Sequence, residues 1–238
     1  LDVSRLGEKA ALATDVKPEF DFAVKSVCLI EAETGTVLYE SSSDVRYMPA
    51  SVTKVMTLLL VFEAIDSGKI KLTDEVTASS HAAEMGGTQI YLKPGETMTV
   101  EELIKAVAIP SANDAAVALA EYVAGSEDEF VRQMNEKAKT LGLENTNFTN
   151  CTGLFDDENH YTTAYDIAIM SRELIKHEKI FDFTTVWLDS LRDGAFTLAN
   201  TNKMLRTYNG MKGLKTGFTK ASKYCFSGVA ERNGMTLI

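Results

Sequence analysis

Short apolar stretches near both ends of the chain predict β-strands. Residues 26–33 and 37–40 form two such stretches, and the Thr-Gly-Thr at residues 34–36 predicts a turn that joins them as a hairpin. The other end of the chain contains three further stretches, at residues 214–219, 224–231 and 235–238. Asn233-Gly234 separates the last two, and this dipeptide strongly favours a two-residue hairpin turn.

The apolar residues in the middle of the chain have helical spacing. Residues 51–66 follow Pro49 and are apolar on every side, which predicts a buried central helix. Gly68, just past its end, suits a left-handed cap. Further helices are predicted from the Thr99–Glu102 capping box to Ile109 before Pro110, over residues 113–123, from the Ser126–Glu129 capping box to near Gly142, and from Thr163–Asp166 to near His177.

The order of these elements is strands, then helices, then strands. Such an order predicts a sheet built from both ends of the chain, with a helical subdomain inserted between them. We expect the sheet subdomain at residues 25–50 and 198–238 and the helical subdomain at residues 51–197. Residues 1–24 have no clear period and are interpreted as an arm.

Charge and cysteine content exclude two classes of function. The formal net charge of −10 makes the chain repel nucleic-acid phosphates. Cys28, Cys151 and Cys225 form no Cys-x-x-Cys or Cys/His cluster, so no zinc site is predicted and we interpret them as small buried residues.

No apolar run is long enough to span a bilayer, because Thr57 and Glu63 interrupt the most apolar stretch at residues 55–65. The chain begins at Leu1 rather than Met and no signal peptide is visible. We therefore expect that a signal, if one existed, has been removed.

Ser51-Val-Thr-Lys54 is a candidate nucleophile and base. At a spacing of three on a helix, the serine hydroxyl and the lysine amine lie on one face. A serine hydroxyl needs a base, and burial lowers the pKa of a lysine enough for it to serve as one. The alternative is an N-cap serine beside a solvated lysine. The strongly apolar helix that carries Lys54 disfavours this alternative.

Two more short motifs could complete a cleft. Ser111-Ala-Asn113 follows Pro110 between two helices, where polar side chains either cap a helix or project into a cleft. Lys215-Thr216-Gly217 lies on a predicted strand, where it could hold an extended ligand or simply lie at the surface. The glycine would allow close approach of a ligand or another backbone.

The three motifs together resemble those of the penicillin-recognising serine enzymes. Four stretches are similar to the D-alanyl-D-alanine carboxypeptidases: residues 47–57, 111–121, 200–203 and 213–219. The similarity runs from about Lys25 to the last residue. The resemblance implies an α+β fold of the β-lactamase and penicillin-binding transpeptidase type, with a five-stranded antiparallel sheet flanked by helices.

The resemblance implies catalytic roles for three residues. Ser51 would attack the carbonyl between two terminal D-alanines, Lys54 would take its proton, and Ser111 would relay a proton to the leaving group. The resulting acyl-enzyme would be hydrolysed by water.

Substrate-binding roles are implied for the remaining motif residues. Asn113 would fix the substrate's amide, and Lys215, Thr216 and Thr219 would hold its terminal carboxylate. The backbone N–H groups of Ser51 and of Phe218, which follows Gly217 of the third motif, would form the oxyanion hole. Some relatives carry His where this chain has Phe218.

The resemblance also implies the setting of the reaction. The partners would be peptidoglycan stem peptides ending in D-Ala-D-Ala, and penicillins that acylate the same serine. No cofactor is implied, and the site of action would be extracytoplasmic. Residues 1–238 would form one catalytic domain without the usual C-terminal β-domain and membrane anchor, and the full-length protein would be membrane-associated.

Three alternatives remain at this stage. A class A β-lactamase would need a Glu-x-x-Leu-Asn pattern, which residues 154–166 lack. An endopeptidase or transpeptidase acting on crosslinked peptidoglycan would have the same motifs. A penicillin-binding sensor without catalysis is disfavoured because all three motifs are intact.

Overall fold

The structure is a computed structural model that describes residues 23–238. Its strands are β1 (Val27–Ile30), β2 (Val37–Ser41), β3 (Glu75–Thr77), β4 (Thr97–Thr99), β5 (Leu188–Leu191), β6 (Phe196–Ala199), β7 (Met211–Thr219), β8 (Lys223–Arg232) and β9 (Met235–Leu237). Its α-helices are α1 (Lys54–Asp66), α2 (Ser80–Ala83), α3 (Val100–Ala108), α4 (Asn113–Ala124), α5 (Glu127–Thr140), α6 (Ala164–Leu174) and α7 (Phe181–Thr184). Short 3₁₀ turns occur at Ala50–Thr53, Glu178–Ile180 and Lys203–Arg206. The predicted arm falls largely on residues 1–22, outside the described residues.

Strands from both ends of the described chain form one antiparallel sheet. β1 pairs with β2, and β7, β8 and β9 pair in sequence order. The two groups join where Ile30 and Ile238 exchange backbone hydrogen bonds of 3.0 Å in both directions. The order is therefore β2-β1-β9-β8-β7, which confirms the predicted five-stranded antiparallel sheet. Asn233 and Gly234 both have positive φ, as the predicted tight turn requires.

The central helix α1 is buried on every side, as predicted. Its side chains from Lys54 to Phe62 are all buried, which explains why the sequence shows no polar face. The prediction that the helix begins at Ser51 is wrong in one respect, because Ala50–Thr53 is a 3₁₀ turn and the α-helix begins at Lys54. Gly68 has a φ of +73°, as expected of a left-handed cap.

The starts predicted for the helices after α1 are confirmed, with one difference in their caps. Thr99 and Glu102 form the complete reciprocal capping box. Ser126 accepts a hydrogen bond from the N–H of Glu129, but the Glu129 carboxylate pairs with Arg132 instead of reaching back. The break before α4 also occurs as predicted, since α3 ends at Ala108, two residues before the proline.

Two small two-stranded antiparallel sheets, β3–β4 and β5–β6, flank the helices and were not predicted. The helices dock on the sheet partly through polar contacts, since the buried hydroxyls of Ser171 on α6 and Ser227 on β8 lie 2.7 Å apart.

Within residues 23–238, no helix is both long and apolar enough to cross a membrane.

Candidate active site

The 3₁₀ turn at Ala50–Thr53 positions Ser51 over the first residue of α1. Residues three apart in a 3₁₀ helix lie directly above one another. Ser51 Oγ is therefore only 3.1 Å from Lys54 Nζ. Ala50, just before the serine, has a φ of +49°. A non-glycine residue in this region is strained, and such strain is concentrated at functional sites.

Lys54 is fully buried, yet no carboxylate among residues 23–238 contacts its amine. Its Nζ donates to Asn113 Oδ1 at 2.7 Å and to the backbone carbonyl of Thr152 at 2.8 Å. Burial lowers the pKa of Lys54 to about 7, against the opposing influence of Cys151 and of the Asp114 carboxylate. Removing a cation from water without a contacting anion favours the neutral amine.

The neutral form of Lys54 is matched to its three neighbours. A neutral amine has two N–H donors and one lone pair. The Asn113 amide oxygen and the Thr152 carbonyl can only accept, so they take the two N–H groups. The lone pair is then left for the remaining neighbour, the hydroxyl of Ser51. This arrangement can remove a proton from Ser51 Oγ.

The second motif reaches Lys54 through Asn113. Ser111 has a φ of +75°, and its buried Oγ has no hydrogen-bond partner among the described residues. Asn113 contacts Lys54 through its oxygen, while its Nδ2 donates to Gly86 O at 2.9 Å. A strained residue with a buried, unpaired hydroxyl is suited to a transient partner such as a substrate or a migrating proton.

The third motif lies on β7, the edge strand of the sheet. Lys215 is buried, and its Nζ donates to Thr216 O at 3.0 Å. Burial is the main cause that holds the pKa of Lys215 well below the usual range, and the nearby charge of Lys54 is the second. Gly217 lies against the nucleophile turn, because a Cβ there would be 2.9 Å from Ser51 N and 3.1 Å from Pro49 O. The structure therefore brings Ser51, Lys54, Asn113, Lys215 and Gly217 together.

The hydroxyls of β7 contact neighbouring segments. Thr216 Oγ1 lies 2.6 Å from Thr201 Oγ1, and Thr219 Oγ1 donates to Asp156 Oδ1 at 2.7 Å. Phe218 is 55% exposed and lies against Tyr224, with ring centroids 4.8 Å apart. Because this side chain is largely exposed, the contribution of Phe218 to an oxyanion hole would come from its backbone alone.

Sequence reasoning missed the segment that holds Lys54 from the other side. Thr152 acts through its backbone carbonyl, which any residue type could supply, so no motif could reveal it. Thr201, by contrast, lies in the similar stretch 200–203 and could have been found there.

Two described cavities are lined by residues outside this cluster, whereas Cys151 directly precedes Thr152 and Cys225 pairs with Gly217 across β7 and β8. One cavity of about 520 Å³ is lined by residues 31–33, by the β8–β9 hairpin and by residues near α7. Another of about 670 Å³ is lined by residues 90–91 and 93–96 with Arg192 and Phe196. The three cysteines form no disulfide; Cys151 is fully buried, while Cys28 and Cys225 are half-buried. Within residues 23–238, no group of His, Cys, Asp and Glu could hold a metal ion.

Comparison with known proteins places these motifs in a family context. Curated relatives include the D-alanyl-D-alanine carboxypeptidase DacF of Bacillus subtilis, 53% identical over 92% of this chain and 57% of its own length. Another, DacC of Escherichia coli, is 37% identical over 96% of this chain and 58% of its own length. The chain thus spans less than three-fifths of these two relatives.

Solved structures agree with this relationship. Penicillin binding protein 6B of Escherichia coli has a TM-score of 0.88 and 30% identity, covering 97% of this chain and 73% of that one. The ampicillin-bound penicillin-binding protein D2 of Listeria monocytogenes has a TM-score of 0.83 and 32% identity, covering 93% of this chain and 89% of that one. A family model described as D-alanyl-D-alanine carboxypeptidase matches residues 12–238. The chain belongs to the D-alanyl-D-alanine carboxypeptidase family.

Proposed function

We propose that this chain carries the catalytic centre of a serine D-alanyl-D-alanine carboxypeptidase that releases the terminal D-alanine from peptidoglycan stem peptides. The contacts of Lys54 are the observation that carries the proposal. Two obligate acceptors occupy its N–H groups and leave its lone pair for Ser51. This gives a serine nucleophile its base without a histidine or a metal.

In the first step, Ser51 Oγ would attack the carbonyl between the two terminal D-alanines while Lys54 Nζ takes the hydroxyl proton. The negative charge that develops on the carbonyl oxygen would be stabilised by the backbone N–H groups of Ser51 and Phe218. The close packing of Gly217 on the nucleophile turn supports this pairing, because it brings the two backbones together. The substrate would extend along the edge strand β7 as an added strand.

In the second step, the C–N bond would break and the leaving amine of D-alanine would receive a proton through Ser111. The unpaired, buried hydroxyl of Ser111 supports this role, since it is available for a proton in transit. Asn113 would hold the substrate's amide. Water would then hydrolyse the ester on Ser51, releasing the shortened peptide and the free hydroxyl.

The terminal carboxylate of the substrate would be held by Lys215, Thr216 and Thr219. Thr219 already donates to the Asp156 carboxylate, so its hydroxyl is oriented toward an anionic acceptor. The hydroxyl pair of Thr216 and Thr201 offers a second donor on the same strand. A substrate carboxylate would compete with Asp156 for Thr219.

The setting of the reaction follows from the substrate. Peptidoglycan lies outside the cytoplasmic membrane, so we infer extracytoplasmic action. The family resemblance implies, in addition, that the full-length protein is associated with the membrane. Penicillins would acylate Ser51 because they resemble the D-Ala-D-Ala dipeptide. The ampicillin-bound relative supports this inference.

Release of D-alanine tests the proposed activity. An N-acylated tripeptide ending in D-Ala-D-Ala should yield free D-alanine, and the same tripeptide ending in D-Ala-L-Ala should not. Ser51→Ala should abolish release without changing the far-ultraviolet circular dichroism spectrum. D-alanine released equally by the wild type and Ser51→Ala, or not at all, would contradict the proposal.

A further inference from the structure

His160 is a buried histidine whose two ring nitrogens contact two different segments. Its side chain is nearly inaccessible, at 1% exposure. Nδ1 lies 3.0 Å from the backbone nitrogen of Thr149, and Nε2 lies 2.7 Å from Thr53 Oγ1. A backbone N–H can only donate, so Nδ1 is the acceptor and the ring proton is on Nε2. The imidazole therefore donates to the hydroxyl of Thr53.

The surroundings of His160 keep it in this single neutral tautomer. Burial lowers its pKa to about 4, although the Asp157 carboxylate acts in the opposite direction. The ring of Phe148 packs edge-on at a centroid distance of 5.7 Å. Protonation would place a second N–H on Nδ1, opposite the N–H of Thr149, and break that contact.

The two segments joined by His160 are those that hold Lys54. Thr53 belongs to the nucleophile turn and lies between Ser51 and Lys54 in sequence. Thr149 begins the segment that delivers the Thr152 carbonyl to Lys54 Nζ.

That segment is tightly folded against the nucleophile turn. Asn150 Oδ1 accepts from the N–H groups of Thr152 and Gly153 at 3.1 and 2.7 Å. Gly153 is pressed so closely to the turn that a Cβ would lie 1.8 Å from Ala50 O and 2.5 Å from Thr53 Oγ1. The hydrogen bond from His160 to Thr53 adds to those from Lys54 Nζ to Thr152 O and from Thr57 Oγ1 to Cys151 O, and it is the one that holds Thr53 itself.

We propose that His160 is a positioning residue for the Ser51–Lys54 pair: through Thr53 it holds the nucleophile turn against the segment 149–154, so that the Thr152 carbonyl and Ser51 approach Lys54 together. The role rests on the proposed function. His160 touches neither the substrate nor the reacting atoms, and it acts through the geometry of Lys54.

Two pairs of variants approach this hydrogen bond from its two ends. His160→Asn keeps an acceptor near Nδ1 for Thr149 but is too short to reach Thr53, whereas His160→Gln can reach Thr53 with its amide N–H. Thr53→Val removes the acceptor hydroxyl at nearly constant volume, and Thr53→Ser keeps it. His177→Asn is the matched control, because His177 pairs with Asp66 away from the site.

The readout is the second-order rate of acylation by benzylpenicillin as a function of pH, well below each variant's unfolding temperature. We expect His160→Asn and Thr53→Val to be slower by on the order of ten-fold, and the double variant to be no slower than the singles. His160→Gln, Thr53→Ser and His177→Asn should stay within about three-fold of wild type. In His160→Asn and Thr53→Val, the acylation rate should begin to fall at a higher pH than in the wild type. A looser segment admits water to Lys54, and hydration of the charged amine raises its pKa.

A purely structural role predicts a different result. Wild-type acylation rates and an unchanged pH dependence in His160→Asn and Thr53→Val would overturn the positioning role, even if both variants melt at lower temperature. Additive losses in the double variant would overturn it as well. An unreactive wild-type chain would instead defeat the proposed function itself, and the positioning role with it.

Discussion

Lys54 is unusual because its burial is balanced by neutral acceptors rather than by a contacting carboxylate. Buried lysines are costly when charged, and the usual solution is an ion pair. Here the Asn113 amide and the Thr152 carbonyl accept its N–H groups, and Asp114 acts only at a distance. The outcome is an amine that loses its proton near neutral pH, which is what a base for Ser51 requires.

The first prediction concerns the pH dependence of this base. Burial disfavours the charged amine, so the pKa of Lys54 falls from 10.5 to about 7 and the reactive form prevails above that pH. We expect the acylation rate by benzylpenicillin to rise about ten-fold per pH unit below 7 and to level off above it. Stopped-flow acylation rates from pH 5 to 9 check this. A rate that keeps rising up to the ordinary pKa of lysine, or that does not change with pH, would contradict the assignment of Lys54 as the base.

At the residue scale, the sequence predicts side-chain chemistry but not backbone chemistry. Ser51, Lys54 and Asn113 are residue types with characteristic spacing, so their cluster could be anticipated. The Thr152 carbonyl could not, since every residue has one. The tautomer of His160 likewise depends on a fold contact with the Thr149 N–H, which no local pattern encodes.

At the element scale, the geometry of the site depends on β7 lying directly against a 3₁₀ turn. Gly217 permits this contact because it has no side chain to separate the strand from Ser51 N. The 3₁₀ turn then aligns Ser51 above Lys54. Both β7 and the 3₁₀ turn are therefore needed for one substrate to contact the edge strand and Ser51 at the same time.

The second prediction tests this contact with Gly217→Ala. The added Cβ would lie 2.9 Å from Ser51 N and 3.1 Å from Ala50 Cβ, so the strand or the turn must shift. We expect acylation to slow by about 100-fold, because misplacement near 1 Å has effects of this size.

Gly194→Ala serves as the control for Gly217→Ala. Gly194 has a φ of +89° and open space around it, so alanine there should cost about 1 kcal/mol of stability and leave acylation unchanged. Thermal unfolding and acylation rates measured on both variants separate the two effects. Equal acylation rates in Gly217→Ala and wild type would mean that the close packing of β7 has no catalytic role.

The success of sequence prediction at this scale follows the length of each element. The helices α1 and α4 are long enough for their periodicity to be recognised, and the terminal strands are bounded by clear turn signals. Strands β3 and β4 have three residues each, too few to display a period of two. The 3₁₀ start of the central helix was missed because Ala50 adopts a left-handed conformation that its residue type does not favour.

At the scale of the whole molecule, the candidate active site lies where the start of α1 meets β7 at the edge of the sheet. Ser51 and Lys54 lie where the first helix begins, whereas Lys215 and Gly217 follow the last helix in sequence. The sheet unites the two chain ends through the reciprocal hydrogen bonds of Ile30 and Ile238. The strand–helix–strand order predicted this closure, but the register of β9 on β1 could come only from the structure.

The third prediction concerns the contact that fixes α6 on the sheet. The hydroxyls of Ser171 and Ser227 are buried and 2.7 Å apart, so removing one leaves the other without this partner. Ser171→Ala should lower the free energy of unfolding by about 1–3 kcal/mol. Ser171→Ala with Ser227→Ala should cost less than the sum of the two single variants. Urea unfolding checks both values, and strict additivity would argue against a shared hydrogen bond.

The identity of the nucleophile is tested most directly by intact-mass measurement with benzylpenicillin. The wild-type chain should gain one penicilloyl group that maps to Ser51 and persists for minutes or longer, and Ser51→Ala should gain none. An adduct that vanishes quickly with hydrolysed drug would indicate a β-lactamase instead. No adduct on the wild type, or the same adduct on Ser51→Ala, would contradict the assignment of Ser51 as the nucleophile.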